Sequence, residues 1–146
     1  MQRAEAKELR HTYPARPNSV PAARQALARF AARAGANREQ IEAIRLAASE
    51  ALTNVVLHAY PDAPGSVHVT AAVARDELCL VIADDGCGIR PHTGRGGLGL
   101  GLVLIASLCD ELQIVRRSSS GTALCLWFKL RTGARLLAGQ ARGSVA

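Results

Sequence analysis

Glu50 and Asn54 pair a carboxylate with a carboxamide four residues apart. They sit in E-A-L-T-N-V-V-L-H, Glu50 to His58, inside a longer apolar-periodic stretch from Asn37 to Tyr60 that reads as one helix. On that helix Glu50, Asn54 and His58 follow one turn apart along one stripe. Ile41, Ile44, Ala48, Leu52 and Val55 line a second, apolar stripe. Oxygen donors at i and i+4 can share one hard cation or its water shell, and such a set suits magnesium. The plain alternative is the solvated flank of an amphipathic helix.

Two glycine-rich stretches add chemistry. Asp84-Asp85-Gly86-Cys87-Gly88-Ile89 follows directly on an apolar run. A carboxylate at a strand end can accept a hydrogen bond from the exocyclic amino group of a heterocycle such as adenine, while Gly86 and Gly88 let the backbone approach a flat ring. By itself D-D-G is also a common turn string. Gly94 to Gly101, G-R-G-G-L-G-L-G, opens a helix, and free N–H groups at a helix start attract anions. Arg90 and Arg95 bring charge to the same loop. This is no Walker loop, because G-K-[ST] is missing, and no dinucleotide fingerprint, because no strand immediately precedes it.

The elements that must hold these groups are legible in order. Leu9 to Ala15 alternates weakly, and Pro14 and Pro17 restrict it to an edge strand. Val20 to Ala34 has helical spacing, with Asn18-Ser19 offered as caps and Gly35 as the stop. Asn37 with Gln40 predicts a capping box for the second helix. Ser66 to Ala74 and Glu77 to Ala83 predict two strands joined by a tight turn at Arg75-Asp76. Asp84 to Gly97 reads as a mobile loop, Leu98 to Leu108 as a third helix, and Leu112 to Arg116 and Thr122 to Leu130 as two further strands. Together they predict an α/β (α+β) two-layer sandwich: a mostly antiparallel sheet with helices on one face. The expected organisation is an N-terminal segment 1–17 containing the edge strand, a domain 18–130, and a basic, flexible tail 131–146.

Composition narrows the classes. The chain has 146 residues, 49% of them hydrophobic but only 3% aromatic, so its core must be aliphatic. Its net charge of +6 invites an acidic partner. The arginines are scattered and aromatic residues to stack on bases are few, which argues against nucleic acid. Cys79, Cys87, Cys109 and Cys125 show no C-x-x-C spacing and read as small core residues in a reducing compartment. The four histidines lack metal-ligand spacing. No apolar run approaches the roughly 20 residues of a membrane span, and the N-terminus lacks the apolar stretch of a secretory signal. A cytoplasmic protein is expected.

Taken in order, E-x-x-x-N on a helix, D-x-G-x-G-I after a strand, G-L-G-L-G into a helix and Gly121-Thr122 before a last strand resemble the ATP site of the GHKL superfamily and its Bergerat-type fold, over about Val20 to Leu130. Within it, S-E-A-L-T-N-V-V-L-H-A-Y (Ser49 to Tyr60) and C-D-E-L (Cys109 to Leu112) resemble the bacterial anti-sigma-factor serine/threonine kinases. The resemblance implies ATP and magnesium as cofactors. It implies Glu50 as general base, Asn54 as magnesium ligand, and Asp84 as the adenine-reading carboxylate, with Gly86 and Gly88 close to the base and Thr122 assisting. Gly97, Leu98, Gly99, Leu100 and Gly101 would meet the phosphates; His58 and Arg95 match less closely. It further implies an anti-sigma factor that binds a sigma factor, phosphorylates a STAS-type anti-sigma-factor antagonist and forms homodimers. The alternatives are an ATP-binding regulatory module that transfers no phosphate and an ATPase paired with a signalling partner.

Overall fold

The computed structural model describes residues 8–87, 98–118 and 120–130. Its elements run β1 (Glu8–Pro14), α1 (Ser19–Arg33), α2 (Arg38–Asn54), a π-helical turn (Val55–Ala59), β2 (Ser66–Ala74), β3 (Glu77–Asp84), α3 (Leu98–Leu108), β4 (Glu111–Arg116) and β5 (Thr122–Lys129). The strands form one sheet in the order β1-β2-β3-β5-β4, and every pairing among them is antiparallel. The proline-bounded β1 is an edge strand, as its sequence predicts.

Strand alternation sets the two faces of the sheet. Val67 and Val69 of β2, Leu80 and Ile82 of β3, and Leu124 and Leu126 of β5 are buried on the helix side. The register puts Val69 opposite Ile82 and Leu80 opposite Leu126, so one aliphatic layer crosses the three inner strands. Leu27 of α1, Ile44 and Leu52 of α2 and Ile105 of α3 close over it. Each such side chain contributes about 1.5–3 kcal/mol by leaving water. With so few aromatic residues, many aliphatic ones must share that work. Cys109 packs against the edge of this core, whereas Cys87 is exposed and Cys79 and Cys125 are half-buried. Alternation turns Cys79 and Cys125 to the open side of the sheet, which corrects the core reading of the sequence.

The helix ends follow local chemistry. Asn37 accepts from the Gln40 N–H at 2.8 Å, and Gln40 Oε1 accepts from the Asn37 N–H at 3.1 Å, completing the capping box. Gly35 has φ of 101°, and the bonds Ala36 N–H to Ala31 C=O (2.9 Å) and Gly35 N–H to Ala32 C=O (3.2 Å) finish α1 as a Schellman motif. Asn18 stands at the start of α1 but makes no side-chain cap bond, unlike the expectation. Backbone bonds from Ser19 to Arg16 and from Val20 to Pro17 serve that end.

The stretch expected as one helix to Tyr60 divides. It is α-helical to Asn54 and π-helical from Val55 to Ala59. An i→i+5 turn carries more residues than an α-turn, so side chains beyond Asn54 leave the earlier stripe. His58 is therefore exposed and apart from the Glu50–Asn54 line.

Candidate functional site

The last turns of α2 and the first turn of α3 meet around Glu50, Asn54 and Gly101. A Cβ placed on Gly101 would stand 3.3 Å from Glu50 Oε2, 3.4 Å from Asn54 Nδ2 and 3.7 Å from Asn54 Oδ1. The absence of a side chain at Gly101 lets α3 begin this close to the polar pair without displacing it. Asn54 Nδ2 is buried and has no hydrogen-bond partner among the described residues. An unmet buried polar atom costs about 1–3 kcal/mol, and one that persists marks a place for a water, an ion or a ligand group.

The π-turn supplies the floor of the neighbouring turn. The Ala59 carbonyl accepts from the Cys87 N–H at 2.9 Å, and Cys87 Sγ lies 3.3 Å from the His58 carbonyl. Gly86 lies against this backbone, where a Cβ would come within 2.0 Å of the Ala59 oxygen. π-turns inside helices recur at functional sites.

Asp84 closes β3 and is only 6% exposed. Its Oδ1 accepts from the Gly86 N–H at 2.9 Å. Burial pushes its carboxyl above the usual range; the backbone N–H groups of Gly86 and Thr122 pull the other way, Asp85 raises it further and Arg117 opposes. A buried carboxylate whose charge is only partly met is suited to recognising a donor on a ligand. Thr122, 3% exposed, begins β5 beside it.

Asp85, the next residue, collects partners that sequence reasoning missed. His68 Nε2 lies 2.5 Å from Asp85 Oδ2, and Arg117 pairs with Asp85 Oδ1. The Tyr60 hydroxyl accepts from the Asp85 N–H at 2.8 Å and donates to the Ser66 carbonyl at 2.6 Å. The one signal for His68 was a histidine in the polar phase of an alternating strand. Arg117 and Tyr60 carried none.

Of the residues expected in the site, Glu50, Asn54 and Gly101 come together, and Asp84, Gly86 and Thr122 form a second group. Leu100 is exposed. Leu98 and Gly99 open α3. Gly88, Arg90, Arg95 and Gly97 lie outside the described residues, as do most of the expected loop and the tail 131–146.

The donor set fits magnesium held together with phosphates better than a metal held by protein alone. Glu50 and Asn54 offer oxygen, and no group of three or more His, Cys, Asp or Glu capable of holding a metal exists among the described residues.

The model of the histidine kinase-like ATPase domain family matches residues 13–128. The chain belongs to this family. It is 35% identical over 117 residues to the serine-protein kinase RsbW of Bacillus licheniformis, covering 69% of this chain and 73% of that protein. It is 30% identical over 124 residues to the anti-sigma F factor of Shouchella clausii, covering 75% and 84%. Among solved structures it resembles the crystal structure of the RsbU and RsbW domains of a Mycobacterium tuberculosis protein. The TM-score is 0.68 and the identity 28%, over 85% of this chain and 32% of that one. The family fold is the α+β sandwich seen here. Among the described residues no helix is long and apolar enough to cross a membrane.

Proposed function

We propose that this chain is an anti-sigma factor and an ATP-dependent serine/threonine protein kinase. It binds a sigma factor and phosphorylates a STAS-type anti-sigma-factor antagonist. Relatives named serine-protein kinase and anti-sigma F factor support the reading. The observation that carries it is the convergence of Glu50 and Asn54 on the side-chain-free start of α3 at Gly101.

Bound ATP would supply the transferable phosphoryl group, and magnesium would neutralise the charge on its phosphates. Glu50 takes the proton from the antagonist's serine or threonine hydroxyl as that oxygen bonds to the γ-phosphorus and the bond to the β-phosphate oxygen breaks, leaving ADP. Asn54 would hold the magnesium ion. Asp84 would accept from the adenine amino group, with Gly86 and Gly88 close to the base and Thr122 assisting, as the family resemblance implies. Gly97, Leu98, Gly99, Leu100 and Gly101 would meet the phosphates, as the family resemblance implies. The working unit is residues 18–130, flanked by 1–17 and by the basic segment 131–146. It acts in the cytoplasm as a homodimer.

The test is radiolabelled phosphate transfer from ATP to candidate antagonists with magnesium. Transfer by the wild type and its loss in Glu50→Ala are expected. No transfer to any cognate antagonist overturns the kinase reading. Full regulatory activity in Glu50→Ala points instead to an ATP-binding module that switches partners without phosphorylation, and steady ATP hydrolysis without a partner points to an ATPase.

A further inference from the structure

Asp85 is half exposed, yet each of its polar groups is engaged. Its carboxylate meets His68 on one oxygen and Arg117 on the other. Its N–H donates to Tyr60, and its carbonyl lies 3.2 Å from the Ser120 hydroxyl, whose one proton it shares with the Gly86 carbonyl. These partners come from β2, from the connection between β4 and β5, and from the residue just after the π-turn. Two of them also hold the residues on either side: Arg117 Nη1 donates to the Asp84 carbonyl at 3.1 Å, and Ser120 Oγ donates to the Gly86 carbonyl at 2.5 Å. His68 is itself fixed, because its Nδ1 lies 3.0 Å from the Thr12 hydroxyl of β1. An ionised carboxylate only accepts, so Nε2 of His68 carries the proton toward Asp85.

Exposed ion pairs add little to global stability. This one is concentrated on the turn that carries Asp84. We infer that His68 and Arg117 are positioning residues for base recognition: gripping Asp85 from two sides, they hold the Asp84–Gly86 turn where the Asp84 carboxylate meets the amino group of adenine. The inference rests on the proposed nucleotide site and adds how that site keeps its selectivity. A buried carboxylate gains by swinging toward water, and the clamp opposes that motion. Releasing it lowers the fraction of molecules with Asp84 in place, and the apparent affinity falls by that fraction. Selectivity falls with it. Guanine presents a carbonyl oxygen where adenine presents the amino group, and a fixed Asp84 rejects it, whereas a loosened one can turn away.

The experiment is calorimetric titration of the full chain with Mg-ATP and, separately, Mg-GTP. The variants are His68→Ala, His68→Gln, Arg117→Ala, Asp85→Ala and the double variant His68→Ala/Asp85→Ala, with Asp84→Asn for reference. His68→Ala and Arg117→Ala are expected to weaken ATP binding about tenfold and GTP binding less, lowering the ATP/GTP ratio. His68→Gln keeps an N–H donor and recovers part of the loss. His68→Ala adds less than about twofold in the Asp85→Ala background, because both act through one carboxylate. Unchanged affinity and ratio in His68→Ala and Arg117→Ala, beside lost binding in Asp84→Asn, overturn the clamp and leave the nucleotide site standing. Equal losses for ATP and GTP with a lowered melting temperature, not restored by His68→Gln, also overturn it in favour of a purely structural role. No ATP binding by the wild type overturns the site and the clamp together.

Discussion

Gly121 is pressed against the carbonyl of Asp84: a Cβ at Gly121 would stand 2.0 Å from that oxygen. Its φ of 98° is a conformation that glycine adopts freely and other residues resist. Both facts act at the entrance to β5, so the hairpin returning from β4 can reach the Asp84 turn only through a glycine. Gly121→Ala is expected to lose about 3 kcal/mol or more, from backbone strain plus overpacking. Urea denaturation monitored by circular dichroism measures it. A change below about 0.5 kcal/mol, the ordinary range for a surface substitution, would show that the turn can shift freely.

Gly101→Ala should separate stability from activity. A methyl group here meets Glu50 Oε2 and Asn54 Nδ2 at 3.3 and 3.4 Å, and the Glu50 carboxylate can move aside. Alanine also gains about 0.8–1 kcal/mol of helix propensity over glycine. Stability should hold or rise, while phosphoryl transfer falls on the order of 10- to 100-fold because the base and the magnesium ligand are displaced. A thermal melt beside a transfer assay reads both quantities. Wild-type transfer in this variant would contradict the placement of the reacting groups.

Asp84→Asn should move stability and binding in opposite directions. Burial raises the Asp84 carboxyl, so as pH increases the unfolded chain gives up this proton before the folded chain does. The folded state binds more protons in that window. Stability therefore declines from the ordinary aspartate pKa up through the raised folded value, and stays lower above it. The neutral amide removes this penalty. At neutral pH the ligand-free variant should be more stable by on the order of 1 kcal/mol, and the decline with pH should flatten. ATP binding should be lost or much weakened. A variant that is destabilised and still binds ATP would overturn both halves.

Asp85 contributes with the other sign. The hydrogen bond from His68, with help from Arg117, holds its carboxyl below the usual range. A depressed folded pKa adds stability that is present above the ordinary aspartate value and lost as pH falls through the folded one. The group is half exposed, so solvent screens the effect and the slope it adds is shallow. Denaturation between about pH 6 and pH 2 should show a flatter acid limb in Asp85→Asn than in wild type. In His68→Ala, carboxyl NMR should find the Asp85 titration moved upward. An unmoved titration would mean that the His68 contact does not persist in solution.

Much of the fold was legible because its signals are local. Alternation in Ser66–Ala74 and Thr122–Lys129 reports a buried and an open face within each strand. Helical spacing gives Leu98–Leu108 with the bounds observed. The bonds between Asn37 and Gln40, and the left-handed Gly35, involve residues within a few positions of one another. Glu50, Asn54 and Asp84 stood out by type and spacing alone.

Tertiary structure decided the rest. Periodicity says which face of an element is buried but does not name the neighbour across it, so the sequence carried no sign that β4 lies outside β5. Nor did it foretell the π-turn after Asn54, which removes His58 from the Glu50 stripe and lays the Ala59 carbonyl over Gly86. Asp85 draws His68 from 17 residues away, Tyr60 from 25, Arg117 from 32 and Ser120 from 35. Hydrogen bonds form between atoms that folding brings together, and separation along the chain leaves no periodic trace of them. The sequence by itself thus determined which residues could do chemistry and which elements carry them. Only packing decided that Gly101 faces Glu50 and that a clamp closes on the residue beside Asp84.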